Sequence, residues 1–128
     1  MIDHVGITVG DFAKSRAFYV KALAPLGYAP LMEFSAAGTG HVDVAGYGVA
    51  PKPDFWISGG KPNVPPIHVA FRADNRALVN AFYAAALAAG GRDNGPPGLR
   101  PHYHPNYYGA FVLDPDGHNI EAVCHHPA

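Results

Sequence analysis

The sequence predicts an α+β fold made of two tandem βαβββ modules, and two observations carry that prediction. First, the second half repeats the first at a shift of 64 residues: HVGITVGDFAKSRAFYVKALAPLG (4–27) slides without a gap onto HVAFRADNRALVNAFYAAALAAGG (68–91). Identical pairs include His4/His68, Val5/Val69, Phe18/Phe82, Tyr19/Tyr83, Leu23/Leu87 and Gly27/Gly91. Second, each copy is followed by short alternating runs broken by glycine and proline, the pattern of strands. The shift is half of the 128-residue chain. Two modules, about 1–61 and 66–126, therefore make up one domain over 1–128.

The elements follow in order. Residues 2–9 alternate, with Val5, Ile7 and Val9 on one side and His4, Gly6 and Thr8 on the other. Asp11 is placed to cap a helix running to about Ala24, with Phe12, Tyr19 and Leu23 along one face and Pro25 and Gly27 at its end. Strands are expected near 28–35, 41–47 and 54–58. In the second copy Ile67, Val69 and Phe71 alternate against His68, Ala70 and Arg72, and Asn75 replaces Asp11 as the cap. Leu78, Phe82, Ala85 and Ala89 form the expected apolar stripe, and Gly90 and Gly91 stop the helix. Strands follow near 99–104, 107–113 and 119–124. Asp114-Pro115-Asp116-Gly117 has the proline and glycine placement of a type I turn joining the last two.

Composition excludes several functions. A net charge of −1 leaves no basic stripe for nucleic acid. No apolar run nears the roughly 20 residues of a membrane span. The start, MIDHVGITVGD, reads as a strand and not as a signal peptide. The single cysteine, Cys124, rules out an intrachain disulfide and suits a reducing compartment, so a cytoplasmic location is expected.

Chemistry concentrates on one face. The apolar sets of the first strands must cover the helices, which leaves His4 and His68 on the opposite side. In the last strand Ile120, Ala122 and Cys124 are the apolar set, so Glu121 joins that opposite side with Asn119 and Val123. A lone strand histidine is usually structural. Two at equivalent repeat positions, in phase with a carboxylate, make a facial triad that leaves coordination positions open. An unpartnered inward carboxylate is also costly, and a cation removes that cost. Iron, manganese, nickel or zinc, each as the divalent ion, suits such a set.

The twin HV strands, the paired βαβββ modules and the closing DPDGHNIE segment resemble the vicinal oxygen chelate superfamily of glyoxalase I, extradiol dioxygenases, fosfomycin-resistance enzymes and bleomycin-binding proteins. The resemblance covers nearly the whole chain. It implies sheets curled into a cupped, barrel-like shell with helices outside, and His4, His68 and Glu121 as metal ligands. It also implies a small substrate chelated through adjacent oxygens, in lyase, isomerase or dioxygenase chemistry, and a homodimer. The alternative within the same resemblance is a metal-free drug-binding protein of the bleomycin-resistance type. Glyoxalase I carries a fourth protein ligand in its first module. A shift of 64 from Glu121 lands on Ile57, so that ligand is missing here, and Asp54 could replace it only with a change of register.

A second constellation is His102-Tyr103-His104-Pro105-Asn106-Tyr107-Tyr108. Glu121, Tyr108 and His104 are the candidate catalytic groups, since a histidine near a metal can move protons and a phenol can orient a substrate oxygen. Trp56, Phe55, His102, Tyr107 and Arg100 are candidates for the substrate pocket, Arg100 for an anionic group. His118, just after the turn, is expected to be solvated, and His125 and His126 to fray with the terminus.

Overall fold

A computed structural model describes residues 1–128, the side chain of Thr39 excepted. Its elements run β1 (Val5–Val9), α1 (Phe12–Ala22), β2 (Ala29–Phe34), α2 (Ala36–Thr39), β3 (Val44–Val49), β4 (Lys52–Gly59), β5 (His68–Arg72), α3 (Arg76–Ala88), β6 (Arg92–Asp93), β7 (Gly98–Leu99), β8 (Tyr108–Leu113) and β9 (Asn119–Cys124). The strands form two sheets, a four-stranded β1-β4-β3-β2 and a five-stranded β5-β9-β8-β6 in which β7 also pairs with β8. Each module joins its first strand in parallel to its last and keeps its other pairings antiparallel. Neither sheet closes into a barrel.

Local chemistry sets the helix ends. The Asp11 side chain accepts the Lys14 amide and the Asn75 side chain accepts the Leu78 amide, so both predicted caps are in place. A short 3₁₀ turn, Ala24–Leu26, follows α1, and Gly27 leaves it with a left-handed φ of 84°. In α3 the buried residues are Val79, Phe82 and Ala86, one position on from the expected Leu78 and Ala85. Leu78 and Ala89 pack at the margin of the core. The shift arises because α3 faces both its own sheet and α1.

One core joins the modules. Ile7, Val9, Phe55 and Ile57 from the first sheet and Phe71, Val112, Ile120 and Ala122 from the second pack with Phe18, Tyr19, Val79 and Phe82. Phe71 meets Phe55 and Tyr28 edge-on, with ring centroids 5.2 and 5.4 Å apart. Each sheet thus turns one face to the helices and leaves the other open.

Two expectations need correction. The strand expected over 99–104 shrinks to Gly98–Leu99. Residues 101–103 form a turn, where Tyr103 N–H donates to Arg100 O, so His102 and His104 do not share a strand face. His118 is fully buried. Its Nδ1 accepts the Ile67 amide at 2.9 Å, which puts the ring proton on Nε2, and this is donated to Thr8 O at 3.0 Å. The partner lies 110 residues away in the chain.

The predicted turn does more than reverse the chain. Asp114 Oδ1 accepts the amides of Asp116 and His118, and Oδ2 accepts the Tyr19 hydroxyl at 2.5 Å. Asp116 takes the Gly10 amide on both oxygens. The β8–β9 hairpin of the second module is therefore clamped onto the first strand and first helix of the other module.

Candidate functional site

On the open face of the second sheet, His68 Nε2 lies 2.8 Å from Glu121 Oε1. The Tyr107 hydroxyl donates to Glu121 Oε2 in a short contact. Glu121 is 1% exposed, whereas the His68 side chain is about half exposed. Neither hydrogen-bond partner of this buried carboxylate is a lysine or arginine. Burial first, and the bond to Glu121 second, push the Tyr107 phenol well above its ordinary range, so it stays protonated and donates. Gly109 keeps the spot open. A Cβ there would sit 3.1 Å from the Tyr107 ring and 3.3 Å from Glu121 Oε2.

The three predicted ligands do not meet within one chain. His4 is exposed on the open face of the first sheet, where Nδ1 pairs with Asp3 Oδ1 at 2.8 Å. It lines a cleft with Gly6, Met32, Val44, Trp56 and Ser58. His68 lines a separate one between the modules, with Asp3, Tyr28 and Asp54. Hydrogen bonds from His4 and Lys52 hold the Asp3 carboxyl below its ordinary range.

Among the described residues, the one group of three potential ligands within 4.8 Å of one another is Asp114, Asp116 and His118. All of these side chains already hold protein partners, as the clamp above shows. Sequence reasoning missed this cluster's structural work, because its partners come from the other module.

The remaining candidates separate by strand phase. Tyr108 points to the helix side: its hydroxyl donates to Asn80 Oδ1 at 2.7 Å and Arg76 stacks 5.1 Å from its ring. The phenol beside Glu121 belongs to Tyr107 instead. His104 does not touch Glu121; it packs 5.5 Å from the Tyr107 ring and its Nε2 lies 2.7 Å from His125 Nδ1. His125 is thereby held against the loop. His102 is exposed and packs on Tyr103, near Arg100 and Phe111. Arg100 spends two donors on Gly98 O and Pro96 O and lies over the Phe111 ring. Phe55 is in the core, while Trp56 is half-buried on the open face.

Register locates the missing fourth ligand. In the second sheet Glu121 pairs with Ala70 on β5; in the first, the equivalent Gly6 on β1 pairs with Trp56. The position matching Glu121 is therefore Trp56 and not Ile57, because the closing strands are related by a shift of 65 while the opening strands keep 64. Ile57 is buried against the helices.

A profile of the Glyoxalase/Bleomycin resistance protein/Dioxygenase superfamily matches residues 1–122. The chain belongs to this superfamily. Among solved structures, the chain is similar to a glyoxalase/bleomycin resistance protein from Albidiferax ferrireducens, at 29% identity over 98% of both chains with a TM-score of 0.77. It also shares its fold with FosX, a fosfomycin resistance protein from Listeria monocytogenes solved as a mutant complexed with Mn(II) and a dihydroxypropylphosphonic acid. That match has 17% identity over 96% of this chain and 88% of the other, with a TM-score of 0.68. A glyoxalase I mutant from Zea mays matches at 20% identity and a TM-score of 0.70, over 95% of this chain and 43% of its own. No curated protein matches. Within the superfamily fold, no helix among the described residues is long and apolar enough to cross a membrane.

Proposed function

We propose that this superfamily member is a cytoplasmic, divalent-metal-dependent enzyme of the glyoxalase/dioxygenase type. Its substrate is a small molecule chelated through adjacent oxygens, for lyase, isomerase or dioxygenase chemistry. The observation that carries the reading is the buried Glu121 carboxylate, joined to His68 at 2.8 Å with no lysine or arginine bonded to it. Two imidazoles and a carboxylate are donors suited to iron, manganese, nickel or zinc. Such an ion, when bound, supplies Lewis acidity and a template for two neighbouring oxygens.

His4 reaches this pair through a second copy of the chain. The open faces of both sheets, each with one half of the donor set, fit a homodimer in which His4 of one subunit completes His68 and Glu121 of the other. Tyr107 orients Glu121 by occupying Oε2, which leaves Oε1 facing His68 Nε2 at 2.8 Å, a pair that a cation would separate and take as ligands. The Tyr107 hydroxyl also gives the buried Glu121 carboxyl a hydrogen-bond donor.

Metal analysis of the purified protein, beside His4→Ala and Glu121→Ala variants, tests the reading. Near-stoichiometric metal in the parent, lost in both variants, is the expected result. Loss in Glu121→Ala alone would remove His4 and the shared site. No metal after reconstitution with Fe(II), Mn(II), Ni(II) and Zn(II) would leave the metal-free binding protein as the reading, with the Trp56 cleft as its pocket.

A further inference from the structure

Tyr107 carries the hydroxyl bonded to Glu121, yet its own ring is only half-buried and lies outside the hydrophobic core. Core packing therefore does not fix it. Three other rings surround it instead. Tyr103 lies 4.8 Å from it at 68°, His104 5.5 Å at 72° and His125 5.4 Å at 84°, centroid to centroid, all in edge-to-face contact. Tyr103 and His104 belong to the loop before β8, whereas His125 follows β9, so two separate stretches of chain converge on one phenol.

Two of these rings are also tied to each other. The Asn106 amide donates to His104 Nδ1 at 3.1 Å, which puts the proton of the neutral His104 ring on Nε2. That Nε2 lies 2.7 Å from His125 Nδ1, with the ring planes 26° apart. His104 Nε2–H is therefore the donor and His125 Nδ1 the acceptor. The bond joins the loop to the end of the last strand and closes a clasp around the Tyr107 ring.

From this geometry we infer that His104 and His125 are positioning residues for the Glu121 carboxylate. Their hydrogen bond fixes the Tyr107 ring, and the ring fixes the hydroxyl on Oε2. The inference rests on the metal-binding reading above. Neither imidazole touches Glu121, so the effect passes through the phenol alone. A tyrosine ring outside the core can swing about its first side-chain torsion, and neighbours on several sides take that freedom away. Glu121 then keeps one orientation, as the partners of a metal ligand require.

Metal titration by calorimetry on the full chain tests this, in a double-mutant cycle with Tyr107→Phe. His125→Ala should weaken metal binding about tenfold, the scale expected for a residue that orients a ligand. In Tyr107→Phe, which lacks the hydroxyl that Glu121 accepts, the same change should weaken it no further. His125→Asn should keep the parent affinity, because its side-chain oxygen can take the His104 proton in place of Nδ1. Unchanged affinity in His125→Ala overturns the clasp. So does an equal loss in both backgrounds, which would mean a route other than the phenol, and so does a loss in His125→Asn as large as in His125→Ala. If the parent binds none of the four metals, the metal reading fails and unfolding midpoints of the metal-free proteins decide the clasp alone. Tyr107→Phe should then cost less stability in the His125→Ala background than in the parent, and an equal cost in both overturns the clasp.

Discussion

On the open face of the first sheet the central triple across β1, β4 and β3 reads Gly6, Trp56, Gly46; across β5, β9 and β8 of the second it reads Ala70, Glu121, Phe111. The two sheets have the same strand directions and the same histidine at the head of the first strand. On the helix side they also agree, Ile7 and Ile57 matching Phe71 and Ala122 as buried apolar residues. Divergence is thus concentrated on the open face, where one module keeps a carboxylate and the other an aromatic plane bounded by glycines. A repeat that only built a shell would gain nothing from that division.

The hairpins that close the two sheets differ as well, and this gives the largest expected effect. Asp114 is 1% exposed and accepts two turn amides and the Tyr19 hydroxyl, whereas the β3–β4 turn around Pro51 has no buried carboxylate. Asp114→Ala should lower unfolding stability by about 3 kcal/mol, because several buried donors lose their acceptor together. Denaturant unfolding checks this, and a loss under 1 kcal/mol would show the clamp to be incidental.

Gly46→Ala comes next. The added Cβ would overlap the indole face, so a cost of about 1–2 kcal/mol and a shifted Trp56 emission are expected. An unchanged emission spectrum would mean that the ring moves freely over β3. Tyr107→Phe removes one donor from Glu121 and should cost about 1 kcal/mol, measured by the same unfolding curves. Metal affinity should fall in that variant, since Glu121 loses the contact that orients it.

The smallest effect is alkaline. Burial holds the phenols of Tyr19, Tyr28, Tyr47 and Tyr107 above the ordinary value of 10.0 in the folded chain. The unfolded chain releases those protons near 10.0 while the folded chain keeps them. Their contribution is therefore complete below about pH 10 and declines as pH rises beyond it. Tyr47→Phe and Tyr107→Phe should each flatten the decline by the share of one phenol. Thermal unfolding between pH 8 and about 11 follows it, with phenolate absorbance as the direct check.

Most of the architecture was legible because it is local. The caps at Asp11 and Asn75 and the turn at Asp114–Gly117 are written in neighbouring residues, and the 64-residue repeat shows on direct comparison of the two halves. The face of Glu121 followed from alternation with Ile120 and Ala122. What escaped depends on distant partners or on a count of one. His118 looked solvated beside a turn, yet it is buried because Ile67 and Thr8 reach it from elsewhere in the chain. Tyr107 and Tyr108 are adjacent at the start of β8, and only the strand's phase decides which phenol turns toward Glu121. The fixed shift pointed to Ile57, and one extra residue between opening and closing strands moved the equivalence to Trp56. That His4 stands apart from His68 and Glu121 follows from the two sheets staying separate within the chain, which no short motif records.

The reach of His118 back to Thr8 has a consequence for the order of events during synthesis. When residue 118 is added, the entire first module has already emerged, with Thr8 O and Gly10 N still lacking the partners they have in the finished fold. The first strand must wait through 110 residues of translation before the last hairpin seals it. A ribosome paused in the second module would therefore display a first strand whose Thr8 carbonyl and Gly10 amide still lack their partners, and the shared core can close only once the last hairpin has been made.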